Sequence, residues 1–132
     1  PVIQNLGNHG FKYKIDFDRL EIGDQIGMIV VSRPTNPTGN VLTNEEIERL
    51  SDLARSADVP LLIDNAYGFP FPQIIFKKED LIWYEHIIHS FSLSKLGLPG
   101  TRTGGIAGRG DLVVAGVVPI GYPFGGVSGH VK

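Results

Sequence analysis

The chain has 132 residues, of which 42% are apolar and 20% charged, a composition typical of one soluble globular domain. Twelve Lys and Arg against fourteen Asp and Glu give a formal charge of −2. No basic block of the kind that binds nucleic acid or an anionic membrane is present, so we expect neither partner. The absence of cysteine excludes disulfides, a thiolate nucleophile and cysteine metal ligands, and it favours a reducing compartment such as the cytoplasm.

The sequence also predicts no membrane span and no secretory signal. The one long uncharged stretch, residues 112–129, contains Pro119, Pro123 and several glycines, which make a poor membrane-spanning helix. The first ten residues, PVIQNLGNHG, lack the basic and then apolar order of a signal peptide.

The first predicted element is a strand over residues 27–32, whose unbroken apolar character is typical of a parallel sheet covered on both faces. It leads into residues 33–40, where Pro34, Pro37 and Gly39 exclude regular structure and predict a rigid turn.

A helix is predicted next, because Thr43 stands three residues before Glu46, the spacing of a capping box, and apolar residues recur on one face until Pro60. Three further strands are predicted over residues 60–64, 86–91 and 104–108. The order strand, helix, strand predicts an α/β fold, with a mainly parallel sheet built from right-handed βαβ crossovers in a doubly wound arrangement.

The C-terminal segment is interpreted differently. Residues 112–118 are rich in β-branched side chains and the rest of residues 111–132 is rich in Gly and Pro, so no helix is expected after the fourth strand. We therefore divide the chain into residues 1–110 and an unassigned tail, residues 111–132.

Polar side chains follow the predicted strands at the sheet edge where open α/β folds bind ligands. Taken singly, each is more often a turn former, a cap or a surface amine. Together they include the amine of Lys95, which can form a Schiff base, and the carboxylate of Asp64, which can keep a pyridinium nitrogen protonated. Pyridoxal phosphate makes these two demands on a protein, so the sequence predicts a site for this cofactor. The residues are Asn36, Asp64, Tyr67, Ser92, Ser94, Lys95 and Arg102.

Four short segments carry a resemblance to a known family: Asn-Pro-Thr-Gly from residue 36, Asp-Asn-Ala-Tyr from residue 64, Ser-Leu-Ser-Lys from residue 92 and Pro-Gly-Thr-Arg from residue 99. They resemble the active-site segments of fold-type I pyridoxal-phosphate aminotransferases. The resemblance runs from about residue 11 to about residue 110, and the longer strings around these segments resemble the valine–pyruvate group. It implies the central part of a large domain with the aspartate aminotransferase-like fold.

The resemblance also implies a role for each site residue. Lys95 corresponds to the catalytic lysine that holds the cofactor as a Schiff base and moves the substrate's proton. Asp64 corresponds to the carboxylate that pairs with the pyridine nitrogen. Asn36 and Tyr67 correspond to the residues that hydrogen-bond the 3′ oxygen of the cofactor. The implied phosphate ligands are Ser92 and Arg102, with a further contact from Ser94.

By this resemblance the protein transfers an amino group between an amino acid, such as valine or alanine, and a 2-oxo acid such as pyruvate, as a homodimer. Because the resemblance covers only the middle of a large domain, the 132 residues alone are expected to be inactive. Two alternatives remain open at this point. One is a lyase of the same fold, and the other is a catalytically silent aminotransferase-like effector domain of a transcription regulator.

His86 and His89 are not predicted to be functional. Three residues apart in a strand, they point to opposite faces, which argues against a shared metal ion. We expect packing or solvation for both, and loop packing for Trp83 and Tyr84. No metal site is predicted.

Overall fold

The structure, a computed structural model, describes residues 1–68, 79–97, 99–101 and 103–116. Short 3-10 helices occupy Phe17–Arg19, Leu93–Leu96 and Pro99–Thr101. The strands and α-helices are β1 (Val2–Gly7), β2 (Gly10–Lys14), β3 (Ile29–Ser32), α1 (Asn44–Ser56), β4 (Leu61–Asp64), β5 (Ile87–Ser92), β6 (Gly104–Ala107) and α2 (Gly110–Gly116).

The main sheet has the strand order β3-β4-β5-β6. β3, β4 and β5 are parallel to one another, and β6 is antiparallel to β5. Asp64 pairs in register with Ser32 on one side and with Ser90 on the other, so the three parallel strands end nearly level. The predicted α/β class and mainly parallel sheet are confirmed, and all four predicted strands are present with ends that differ by up to two residues.

The helix α1 begins where the sequence predicts it. Thr43 Oγ1 accepts a hydrogen bond from the Glu46 N–H at 3.2 Å, and Glu46 Oε2 accepts one from the Thr43 N–H at 2.9 Å, which completes a capping box. Lys12 Nζ lies 3.2 Å from the same carboxylate oxygen and ties the β1–β2 hairpin to the helix.

The core lies between α1 and one face of the sheet. Leu61 and Ile63 of β4 are at most 1% exposed and pack against α1, so the alternation along the strand directs Asp64 toward the opposite face. On that opposite face, Val30 of β3 is 60% exposed. The buried apolar cluster consists of Leu42, Ile47, Leu50, Ala54, Leu61, Ile63 and Ile87.

Two features differ from the sequence prediction. The β1–β2 hairpin was not predicted. The expectation that no helix follows the fourth strand is wrong, because α2 covers Gly110–Gly116. Propensity is a weak prior that tertiary context overrides, and Asp111 in the first turn gives this helix favourable charge at its N-terminus.

Part of the predicted tail, residues 117–132, lies outside the described residues, so the division at residue 110 stays a prediction. No helix in the described ranges is long and apolar enough to cross a membrane.

Candidate active site

The described site residues lie at the carboxyl ends of the three parallel strands and in the loops that follow. Asn36 lies in the loop after β3, Asp64 ends β4, and Tyr67 lies in the next turn. Ser92 ends β5. Ser94 and Lys95 lie in the 3-10 helix that follows β5, whereas Arg102 falls outside the described residues.

Tyr67 connects the loops that follow β3 and β5. Its hydroxyl oxygen accepts a hydrogen bond from Asn36 Nδ2 at 3.3 Å. Lys95 Nζ lies 4.7 Å from the centroid of the Tyr67 ring, within cation–π distance. Side chains from three separate strand ends are therefore brought together around one phenol ring, as the sequence predicts.

The Asp64 carboxylate is held by two hydrogen bonds to one of its oxygens. Oδ1 accepts from the Ala66 N–H at 3.1 Å and from Ser90 Oγ at 3.0 Å. Oδ2 accepts no hydrogen bond from the described part of the chain. The carboxylate is thus fixed in orientation while one oxygen keeps its capacity to bind a positively charged or N–H partner.

Ser90 was missed in the sequence prediction. A signal was available, because Ser90 and Ser92 share one face of β5 by the alternation of a strand. Its pairing with Asp64 depends on the register of β4 against β5, which the sequence does not state.

Ser92 caps the 3-10 helix that carries Lys95. Its hydroxyl oxygen accepts a hydrogen bond from the Ser94 N–H at 3.3 Å. The helix ends at Gly97, whose φ of 88° is left-handed and suits glycine. Because the cap uses the oxygen as an acceptor, the hydroxyl proton of Ser92 can still be donated to an anion.

A buried arginine anchors the loop that carries Asn36. Arg33 is 6% exposed, and its Nε donates to the Leu42 carbonyl at 2.7 Å. Its Nη2 donates to Asn44 Oδ1 at 2.6 Å and lies 3.6 Å from a carboxylate oxygen of Glu79. Burial lowers the pKa of Arg33, and the negative charge of Glu79 opposes this effect. The guanidinium remains charged and holds both ends of the loop.

The loops that carry Asn36 and Tyr67 pack together at Gly68. A Cβ added at Gly68 would lie 2.4 Å from the Arg33 carbonyl oxygen, a distance that real Cβ atoms do not tolerate. Glycine at this position therefore permits the close approach on which the hydrogen bond between Asn36 and Tyr67 depends.

The two histidines take part in the fold, as expected. His86 Nε2 lies 2.8 Å from Ser51 Oγ on α1. His89 is fully buried and bonds to Asn65 and to the Ile82 carbonyl. Within the described ranges, no group of three or more His, Cys, Asp or Glu side chains is arranged to bind a metal ion.

Comparison with known proteins gives a consistent result. The family described as aminotransferase class I and II matches residues 9–125. The valine–pyruvate aminotransferase of Escherichia coli K12 is 52% identical over 115 residues, which cover 87% of this chain and 28% of that protein. The 1-aminocyclopropane-1-carboxylate synthase 5 of Arabidopsis thaliana is 33% identical over 116 residues, which cover 79% of this chain and 24% of that protein.

Solved structures agree with these relatives. The valine–pyruvate aminotransferase of Salmonella typhimurium LT2 superposes with a TM-score of 0.83 at 53% identity, covering 87% of this chain and 30% of that chain. A double mutant of the aspartate aminotransferase of Thermus thermophilus superposes with a TM-score of 0.63 at 27% identity, covering 71% of this chain and 25% of that chain. The chain thus spans less than a third of the length of these relatives.

Proposed function

The chain belongs to the class I and II aminotransferase family, and on this premise we propose that the protein containing it transfers an amino group between an amino acid and a 2-oxo acid. For the substrates we propose valine or alanine as the donor and pyruvate as an acceptor. This choice is supported by the name of the relative that is 52% identical over 115 residues.

We propose pyridoxal 5′-phosphate as the cofactor, and the side chains present fit its groups. Asp64 offers a carboxylate oxygen that no described residue occupies, which suits a protonated ring nitrogen. The hydroxyl of Tyr67 and the amide of Asn36 suit a phenolic oxygen, and the amine of Lys95 suits a covalent bond to the aldehyde. Ser92, Ser94 and Arg102 are the proposed phosphate ligands.

The bound cofactor supplies an electron sink for the electrons that a substrate Cα–H bond releases. Side chains of this protein would bind the cofactor and transfer the proton. Lys95 would hold the cofactor covalently and, as a neutral amine, would accept the substrate's Cα proton and return it. The Asp64 carboxylate would pair with the ring nitrogen, and Asn36 and Tyr67 would hydrogen-bond the phenolic oxygen.

The observation that carries the proposal is the arrangement of Lys95 over the Tyr67 ring, with Asn36 bonded to the Tyr67 hydroxyl. These two contacts join residues from three separate loops at one edge of the sheet, where open α/β folds bind ligands. The lyase alternative is less favoured, since the relative that is 52% identical over 115 residues is named as an aminotransferase. The homodimer, the cytoplasmic location and the inactivity of the 132 residues alone stay predictions.

The test is an amino-transfer assay on the protein that contains this chain, with pyridoxal phosphate, a panel of amino donors, and pyruvate. We expect alanine to form, with valine among the efficient donors. Release of a donor's side-chain group without amino transfer would indicate the lyase alternative. A protein that binds the cofactor but converts no donor would indicate the silent effector domain.

A further inference from the structure

A buried pair of side chains, Asn65 and His89, lies next to the turn that carries Asp64 and Tyr67. Asn65 is 3% exposed and His89 is fully buried. Asn65 Nδ2 lies 3.0 Å from the Ile63 carbonyl oxygen and 3.0 Å from His89 Nδ1. His89 Nε2 lies 2.9 Å from the Ile82 carbonyl oxygen.

These contacts fix where the protons are. A carbonyl oxygen only accepts, so the Asn65 atom facing Ile63 must be its amide nitrogen, and His89 Nε2 must carry a proton. The second hydrogen of Asn65 Nδ2 then points to His89 Nδ1, which must accept. His89 is therefore neutral, with its proton on Nε2. A proton on Nδ1 would place two donors against each other.

The backbone of Asn65 and its side-chain nitrogen all form hydrogen bonds that orient the turn between Asp64 and Tyr67. Its backbone N–H donates to the Ser90 carbonyl at 2.9 Å, and its own carbonyl accepts from the Gly68 N–H at 3.0 Å. Both side-chain hydrogens are also engaged. These bonds hold Asp64 and Ala66, the residues on either side of Asn65. One of the bonds, from Asn65 Nδ2, is accepted by His89 Nδ1.

Burial of the His89 ring disfavours its charged form and lowers its pKa, although the hydrogen bond to the Ile82 carbonyl opposes this effect. The Trp83 ring stacks on the imidazole with centroids 5.0 Å apart and planes 6° apart. The Arg33 cation, from the loop after β3, lowers the pKa of His89 further. Asp64 faces away, because its carboxylate bonds to Ser90 on the other side of the sheet.

We propose that His89 and Asn65 are positioning residues, in which the neutral His89 Nδ1 locks Asn65 and so orients Asp64 and Tyr67 toward the cofactor. The inference rests on the proposed function. Neither side chain touches the cofactor, and both act through the turn.

Two substitutions of similar size distinguish the roles of the two ring nitrogens of His89. In His89→Asn the side-chain oxygen takes the place of Nδ1 and still accepts from Asn65. In His89→Gln the side-chain amide reaches toward the place of Nε2 and keeps the bond to Ile82, while Asn65 loses its acceptor. We expect the Asn variant to keep the wild-type cofactor affinity and the wild-type pH midpoint of the bound cofactor's absorbance. We expect the Gln variant to bind about tenfold more weakly and to shift that midpoint, since it leaves a buried donor unpaired.

The matched control is Ser51→Ala, which removes a hydroxyl from the other histidine pair, Ser51 and His86, and does not contact the turn. It should lower the melting temperature while leaving the absorbance midpoint unchanged. Equal cofactor properties in His89→Asn and His89→Gln would overturn the proposal. A wild-type protein that binds no cofactor would overturn the proposed function, and with it any positioning role.

The proton assignment has its own test, which needs neither cofactor nor variant. Nitrogen-15 NMR of the histidine rings should show His89 with an unprotonated Nδ1 and a protonated Nε2 from pH 8 down to pH values at which exposed histidines are charged. The opposite tautomer, or a doubly protonated ring under those conditions, would refute the lock.

Discussion

The negative charge of Asp64 and its hydrogen bonds within the fold can be tested separately. In Asp64→Asn, an amide oxygen can still accept from the Ala66 N–H and from Ser90 Oγ, so the fold should be retained. The negative charge opposite the ring nitrogen is lost, and a contact of this kind is typically worth a few kcal/mol, or about a hundredfold or more in rate. Steady-state kinetics and thermal melting measure the two effects. A variant with wild-type turnover and a much lower melting temperature would show that Asp64 is a structural cap.

His89 should make stability depend on pH in a defined window. Burial lowers its pKa below the usual 6.5, the hydrogen bond to the Ile82 carbonyl opposes this, and the Arg33 cation lowers the pKa further. As pH falls below 6.5, the unfolded chain takes up a proton that folded His89 refuses. The contribution of His89 to the free energy of unfolding is therefore complete above pH 6.5, and it decreases as the pH falls from 6.5 to the lowered pKa.

Urea unfolding of the wild type and of His89→Asn between pH 8 and pH 5 measures this effect. The variant has no titrating group at residue 89, so its stability should fall less over the window. The Glu46 carboxylate also has a lowered pKa, because its hydrogen bonds with Thr43 and Lys12 outweigh burial. Its contribution is lost only below its usual value of 4.5, outside the window. Parallel curves for the two proteins would contradict the assignment.

At the residue scale the sequence predicted groups that follow strands and missed groups that depend on register. The placement of Asn36, Asp64 and Lys95 at one edge of the sheet could be predicted because the carboxyl ends of parallel strands meet there. The contacts of Ser90 with Asp64 and of Asn65 with His89 could not be predicted, since each joins two neighbouring strands whose alignment only the folded sheet fixes.

At the element scale, the contact of two loops at Gly68 sets the distance between Asn36 and Tyr67. Gly68→Ala places a methyl group against the Arg33 carbonyl and must push the loops apart. We expect a lower melting temperature and weaker cofactor binding, by about tenfold, because the hydrogen bond between Asn36 and Tyr67 is lost along with packing.

The control is Gly27→Ala, where an added Cβ meets nothing within 4 Å and φ is not left-handed. That variant should bind the cofactor like the wild type. Equal effects of the two substitutions would show that the close approach at Gly68 has no functional consequence.

The elements that the sequence predicted are those with a strong local signal. α1 has its capping box and its apolar face, and the core strands have continuous apolar runs. The missed β1–β2 hairpin turns at Asn8 and His9, whose φ values of 47° and 62° are left-handed, and neither is the glycine that marks most such turns in a sequence. In α2 the β-branched residues gave the wrong prediction because propensity is overridden by context.

At the scale of the whole molecule, apolar side chains are exposed on both sheets. Val30 is 60% exposed on β3, Phe11 is 55% exposed on the hairpin, and Ile106 is 50% exposed on β6. A polypeptide of these 132 residues should self-associate, since a parallel strand ordinarily has both faces covered and the outer face of β3 is uncovered at Val30. Sedimentation velocity over a range of concentrations measures the association.

Val30→Thr is the matched variant, because threonine keeps the β-branched shape and adds a hydroxyl. It should weaken association without lowering the strand's stability greatly. A wild-type polypeptide that stays monomeric at high concentration would contradict the prediction.

The central claim is that Lys95 holds pyridoxal phosphate covalently beside Tyr67, and reduction with borohydride tests it most directly. The protein that contains this chain is loaded with the cofactor, reduced, digested and mapped by mass spectrometry, with Lys95→Ala as the control. The account predicts the added mass on the peptide containing Lys95, a matching loss of the yellow colour, and no stable label in the variant. The added mass on Lys12, Lys14 or another lysine, with Lys95 unmodified, would contradict the assignment of Lys95.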